Sequence, residues 1–306
     1  MKVGIVGGTG FVGRYLIDEL QAAGHSVCTL VRPGSESKLQ LVTGVETVAG
    51  DVFDERALRE LFDGCDAAIY SVGILREFPR RGVTFEAVQF QGMRHTLAAA
   101  THAGVSRLLV MSAIGAKASG TRYQTTKYRA EQVALESGLD VTVLRPSVIF
   151  GDPRGAMEFA TQLRNDMVRP PIPAIKFFPG FRPKARPIVM APVHVEDVAR
   201  SFVVVLEDAD SVGKTYELAG PDVLTWRQMI TRVGESVGRN KWFIPMPIPL
   251  MRLAATVLDW LPFFPVTRDQ LTMLEEGNVA DPDTLEMLVR REPKRFEANH
   301  LRYLAE

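Results

Sequence analysis

Lys2–Val6, KVGIV, runs directly into Gly7-Gly8-Thr9-Gly10-Phe11-Val12-Gly13. No other stretch of the chain narrows the choice of fold as far. A short β-branched run reads as a buried parallel strand. Val12, Leu16, Leu20 and Ala23 then recur at helical spacing up to Gly24. Gly7 permits a tight strand-to-helix turn, Gly10 lets a ligand approach the backbone, and Gly13 lets the helix pack against the strand. The helix N-terminus offers free N–H groups and a positive dipole end to phosphates. After a strand and at the head of a helix, this is the pattern of a dinucleotide-binding turn. Gly7, Thr9, Gly10, Phe11, Val12 and Gly13 are the residues that would line it.

The rhythm continues beyond the turn. HSVCTLVR supplies a second strand, followed by a strand near 46–49, a helix over 55–62 and a strand over 66–72. A helix over 85–102, a strand over 106–112, a helix over 123–136 and a strand over 140–145 complete the run. Strands alternating with helices predict an α/β fold, a doubly wound parallel Rossmann sheet with right-handed crossovers. After Phe150 the pattern breaks. Pro153, Pro170, Pro171, Pro173, Pro179, Pro183 and Pro187 cannot sustain long elements. IVMAPVHV, a helix from Glu196 to about Glu207 and a strand at Tyr216–Leu218 resume it, and residues 221–306 read as mostly helical. The expected organisation is a nucleotide-binding core of residues 1–150, completed by about 188–220. A smaller substrate or docking lobe would comprise 151–187 and 221–306.

The end of the second strand discriminates between dinucleotides. A carboxylate there would accept hydrogen bonds from the ribose 2′-OH. This chain has Val31-Arg32-Pro33, and Arg32 is suited to a 2′-phosphate, with Arg14 and the more distant Lys38 as possible helpers. NADP(H) is therefore favoured over NAD(H). Ligands bind beyond the carboxyl ends of parallel strands, which puts Asp51 and Val52 at the adenine edge and Ser71, Val72 and Gly73 beneath the cofactor.

Bulk properties exclude other classes. Lys and Arg number 36, as do Asp and Glu, so no global field recruits nucleic acid. Two cysteines, Cys28 and Cys65, are too few for a disulfide framework or a metal cluster, and no metal ligands are assigned. There is no run of about 20 apolar residues and no signal-peptide pattern at the start. A cytoplasmic location follows, with peripheral attachment to the inner membrane as its variant.

Tyr123 and Lys127 lie four apart on a helix and share a face. An ammonium beside a phenol favours phenolate and lowers the tyrosine pKa toward acid–base range, and the same lysine could hold ribose hydroxyls. With GGTGFVG, AGDVFD, SVGI, VMSAIGA, YQTTK, LRPSVIFG, PVHVEDVA and YELAGP, the chain resembles the short-chain dehydrogenase/reductase superfamily in its extended, atypical branch. Ser112-Ala-Ile-Gly-Ala and TRDQLTMLEEGNVAD (267–281) make it most like the complex I nucleotide-binding accessory-subunit type and its bacterial relatives. The resemblance implies Tyr123 as acid/base and Lys127 as its tuner and ribose ligand. It also implies that Arg145, Pro146 and Ser147 close the sixth strand against the nicotinamide. Asp197 and His194 read as structural. The chain departs from the family at Ala113 and Ile114, where active members usually carry a hydroxyl, so Ser112 alone remains to orient a carbonyl. The loop from Gly115 to Arg122 is also short for an extended enzyme.

Residues 242–265, WFIPMPIPLMRLAATVLDWLPFFP, are apolar, but Arg252, Asp259 and five prolines forbid a membrane span. They suit core packing, an apolar pocket for a lipophilic substrate, or docking on a membrane or membrane complex. Three functions compete. The first is an NADP(H)-dependent oxidoreductase acting on a lipophilic carbonyl or quinone-like compound. The second is a non-catalytic cofactor-binding subunit or assembly factor of a respiratory complex. The third is a nucleotide-sugar epimerase or reductase.

Overall fold

The computed structural model describes residues 1–39, 44–180, 187–258 and 267–305, with side chains omitted for 255–258. Pro183, and residues 259–265 of the apolar segment with Asp259, lie outside the described residues. The described chain forms two compact units: 1–146 with 195–217 and 284–291, and 147–194 with 218–283 and 292–306.

The first unit is a seven-stranded sheet. Its strands are β1 (Lys2–Val6), β2 (Ser26–Val31), β3 (Glu46–Ala49), β4 (Ala67–Tyr70), β5 (Arg107–Met111), β6 (Asp140–Pro146) and an edge strand, Thr215–Leu218. Across the sheet the order is edge strand, β6, β5, β4, β1, β2, β3. β1 to β6 pair in parallel. Gly213 N–H donates to Val141 O (2.7 Å), and Val143 N–H to Lys214 O (3.0 Å), so the edge strand runs the same way. The order reverses between β1 and β4, which places a ligand crevice outside their carboxyl ends. The connecting helices are α1 (Phe11–Ala22), α2 (Glu55–Phe62), α3 (Gly92–His102) and α4 (Arg122–Leu135); helix Val195–Glu207 packs on α1. The α/β Rossmann sheet expected from the alternation is what forms. Its strands are buried on both sides, as Val3, Ile5, Ala67, Ile69, Leu108, Leu109 and Val143 at 0% exposure attest.

The helix expected over 85–102 is interrupted. Glu86–Gln91 is π-helical before α3 begins. The buried Tyr70 hydroxyl donates to Val88 O, taking a carbonyl from the helical ladder at this point. Helix Pro282–Val289, from Thr284 onward, groups with the first unit, and Arg291 just after it pairs with the fully buried Asp197 at 3.1 Å.

The second unit is built of short pieces around a core of Phe150, Met229, Ile230, Ile248, Leu271 and Phe296. Its strands pair in twos: Ile149–Phe150 with Val193–His194, Val189–Met190 with Leu224–Thr225, and Ala174–Phe178 with Phe243–Pro247. The last of these lies within a segment expected to carry only helix and proline punctuation. Pro245 and Pro247 are tolerated because a two-stranded ribbon has an outer edge that needs no N–H donor. Helices α4, Trp226–Ser236 and Arg268–Glu276 each open with a reciprocal Thr-x-x-Gln capping box, at Thr121, Thr225 and Thr267.

Candidate functional site

The glycine turn is a steric necessity in this fold. Gly7 has φ +106°, and a Cβ there would come within 2.9 Å of the Ser71 carbonyl group. A Cβ on Gly8 would meet Thr29 Oγ1 at 2.2 Å, and Thr29 is itself fixed by donating to Ile5 O. Gly13 would put a Cβ 2.2 Å from Gly7 O and 2.6 Å from Gly8 Cα. The close contact Gly13 permits is therefore with the turn itself rather than with the strand. Gly8 was not among the expected residues; the signal for it was its place in the Gly7-Gly8 doublet opposite a β2 side chain. Gly10 meets only Gly7 O, at 3.2 Å, and its N–H donates to the same oxygen. Thr9, Phe11 and Val12 complete the turn, and no side chain caps α1 or places an acid in its first turn. The donors and dipole of that terminus suit an anion.

Other expected residues divide into several groups. Arg32, at the end of β2, is exposed and makes no ion pair among the described residues, and its carbonyl accepts from Ser35 N–H at 2.9 Å. Arg14 is not an outward-facing partner for it. The Arg14 side chain is buried, and Nε donates to Gly10 O at 3.3 Å, bracing the turn from behind. Asp51 closes a local turn by accepting from Phe53 N–H at 2.8 Å, and Val52 is buried with its carbonyl held by His95. Ser71 and Val72 leave β4 toward the crevice, and Gly73 follows, with space for a Cβ at 3.5 Å from Lys127 Nζ.

Lys127 is buried, and its ammonium donates to Val72 O at 3.2 Å and Met111 O at 3.0 Å, joining the exits of β4 and β5. Burial pushes its pKa down to about 8, against the pull of Glu131. Tyr123 packs edge-on to Phe85 at 5.5 Å, and burial pushes its phenol up to about 12. Two of the three ammonium donors go to carbonyls, and in the protein alone burial outweighs any stabilisation of the phenolate by the lysine. Next to Met111, Ser112 is 4% exposed, and its Oγ has no hydrogen-bond partner. Gln89 Oε1, in the π-helical turn, is likewise buried without one, while Gln89 Nε2 donates to Ile74 O at 3.2 Å. An unpartnered buried polar atom costs about 1–3 kcal/mol, so each of the two calls for a reason.

The β6 terminus is also revised. Arg145 does not face outward from the strand end. It makes a paired ion contact with Glu131, at 2.9 and 2.6 Å, and reaches Glu217 at 3.6 Å. Tyr123, Lys127 and Glu131 recur every four residues on α4, so this contact locks the helix face that carries the first two. Glu131, 1% exposed on its side chain, was missed by sequence reasoning. The Tyr-x3-Lys-x3-Glu spacing was the available signal. Pro146 O accepts from Ile114 N–H at 3.0 Å. Ser147 belongs to the second unit, where its hydroxyl donates to Asn278 O at 3.2 Å. His194, also in that unit, stacks edge-on against Phe150 at 5.0 Å.

A parallel sheet with a glycine cradle and an uncapped helix at its reversal point defines a dinucleotide-binding Rossmann protein. The family model described as NAD(P)H-binding matches residues 7–172. This chain belongs to that NAD(P)H-binding family. It is 28% identical over 294 residues to the mitochondrial NADH dehydrogenase [ubiquinone] 1 alpha subcomplex subunit 9 of Arabidopsis thaliana, covering 92% of this chain and 70% of that one. It is 27% identical to a ceramide reductase of Caulobacter vibrioides, over 84% of this chain and 77% of the relative. Among solved structures, the UDP-glucose 4-epimerase of Bifidobacterium longum shares the fold at TM-score 0.76 and 15% identity, covering 100% and 97% of the two chains.

Proposed function

We propose that the first unit holds NADP(H) and that the chain is an oxidoreductase acting on a lipophilic carbonyl or quinone-like compound. The observation that carries this reading is the Ser112 hydroxyl, buried without a partner beside the carbonyl that anchors Lys127. A buried O–H kept unsatisfied in the protein alone is one a ligand oxygen can take. The turn from Gly7 to Gly13 would hold the pyrophosphate and Arg32 the 2′-phosphate. Asp51 and Val52 would border the adenine, and Ser71, Val72 and Gly73 would underlie the cofactor. Lys127 would hold ribose hydroxyls and Pro146 would flank the nicotinamide end. The second-unit Ser147 is left out of this assignment.

When bound, the nicotinamide supplies or accepts a hydride at carbon. In reduction, the Tyr123 hydroxyl gives a proton to the oxygen that becomes anionic, so hydride and proton together yield an alcohol or hydroquinone. Ser112 Oγ–H orients that oxygen. Burial keeps the phenol protonated, so its hydrogen is in place for donation. A relative named for ceramide, a lipid, supports the lipophilic substrate class.

A second reading, a cofactor-loaded subunit of a membrane complex, is supported by the complex I relative and by the missing hydroxyl at Ala113 and Ile114. One series separates the two. Tyr123→Phe should retain NADPH binding and lose NADPH oxidation by a short-chain ubiquinone or long-chain aldehyde. Undiminished turnover would remove Tyr123 as the proton donor. NADPH binding without turnover on either compound, with a growth phenotype rescued by Tyr123→Phe but not by Gly10→Asp, would favour the subunit. Arg32→Ala should weaken NADPH about thirtyfold, about 2 kcal/mol, and leave NADH unchanged. Purified protein carrying NAD with no 2′-phosphate would sink the Arg32 assignment.

A further inference from the structure

In the second unit, the proline loop before Ala174 and the strand paired with it carry apolar side chains outward, and the backbone there is braced. Arg239 Nη1 donates to Arg169 O at 2.9 Å, and Lys241 Nζ donates to Pro170 O and Ile172 O, each at 2.6 Å. Ala174 N–H donates to Trp242 O at 2.8 Å. Two cations thus clamp a proline loop against the start of the neighbouring strand. The clamp sets Ile172 and Trp242 side by side, 63% and 84% exposed. A cleft of about 320 Å³ runs between the two segments, with Asn240 and Lys241 as its polar lining. Ile244 on the same strand and Leu250 and Leu253 on the helix Ile248–Leu258 are exposed as well.

Cations surround this tip. Arg169, Lys176, Arg227 and Arg239 are exposed, with Arg227 lying over the Phe243 ring at 5.1 Å, against Asp166 and Glu235 on the adjoining helices. Lysine is depleted in the cores of protein interfaces, and here Lys176 and Lys241 flank the outward apolar residues of the ribbon. Indole rings prefer the headgroup boundary of a bilayer, and nearby Lys and Arg are drawn to anionic headgroups. No helix among the described residues is long and apolar enough to cross a membrane, so such contact would stay at the surface.

We propose that the Ile172–Trp242 tip docks the second unit on an anionic phospholipid surface, with Trp242 at the headgroup boundary and the surrounding cations on headgroup phosphates. This is independent of whether the first unit turns over a substrate.

The test uses the full chain with protein-free vesicles of phosphatidylcholine alone, or of phosphatidylglycerol and phosphatidylcholine in a one-to-three ratio. Co-sedimentation with the anionic vesicles, little with the neutral ones, and a blue shift of tryptophan emission are expected. Salt at about 1 M, where the screening length falls to about 3 Å, should release most of the protein. Lys176→Gln should lower the partition coefficient about fivefold. The Ile172→Ser, Trp242→Ser double variant should lower it at least about tenfold and abolish the blue shift. Both variants should keep wild-type NADPH binding and thermal unfolding, so lost docking is distinguished from lost folding and from failure of the cofactor assignment. Wild-type protein remaining in the supernatant with both vesicle types overturns the proposal, as does a double variant that sediments like wild type. Attachment only to native membranes, abolished by protease treatment of those membranes, assigns the tip to a protein partner and also overturns it.

Discussion

The glycine turn of the first unit and the Ile172–Trp242 tip of the second show opposite uses of side-chain size. At the turn, side chains are removed because backbone occupies the space: Gly13 has no room for a methyl group beside Gly7 O, and Gly8 has none beside Thr29. At the tip, large side chains are held out from the protein by hydrogen bonds to the backbone behind them. The first arrangement couples stability and ligand binding, since anything that disturbs the cradle disturbs the helix start. The second uncouples them, because an exposed side chain contributes little to the fold that presents it.

The largest effect should come from forcing a side chain into the turn. Gly13→Ala places its methyl group against backbone that cannot move aside, so thermal unfolding should show a loss of about 3 kcal/mol and titration no NADPH binding. Wild-type affinity in this variant would mean that the cradle is far more pliable than its contacts indicate. Next in size is a pH effect. With Lys127 lowered to about 8 from an ordinary 10.5, the native state binds fewer protons than the unfolded chain between those values. Its contribution to stability is therefore unfavourable below about pH 8 and improves as pH rises toward 10.5. Denaturant unfolding at pH 8 and pH 10 should show wild type gaining relative to Lys127→Met by up to about 1 kcal/mol per pH unit. A flat difference would mean that the ammonium is solvated.

Ser112→Ala should leave stability unchanged or raise it by about 1 kcal/mol, since it removes a buried hydroxyl with no partner, while NADPH-dependent turnover falls. A clear loss of stability would show that the hydroxyl serves the fold. The smallest effect belongs to the tip: Trp242→Ser should shift unfolding by no more than about 0.5 kcal/mol. A larger loss would erase the contrast between the two regions.

Much of the first unit was legible from residue order. The strand and helix alternation from Lys2 to Pro146 is written in local periodicity, and the turn is written in glycines whose need is steric. Asp197 and His194, read as structural, are buried in an ion pair and an aromatic stack respectively. Partner choice was less legible. Arg14 and Arg32 are both arginines near one turn, yet one folds behind it and the other stays exposed. Arg145, which the resemblance to the family places at the nicotinamide end, is instead committed to Glu131, fourteen residues away. The ribbon strand Phe243–Pro247 was hidden because its prolines argue against a strand until an edge position is available.

The amino-acid sequence by itself determined the parallel α/β architecture and the dinucleotide cradle, because apolar period, glycine conformational freedom and helix-terminus polarity act within a few residues along the chain. Only the tertiary structure decided that Lys127 joins two strand-end carbonyls, that Ser112 is buried without a partner, and that Trp242 faces outward. Those outcomes depend on burial and hydrogen-bond competition among groups brought together from distant parts of the chain, and residue spacing carries no record of which group wins.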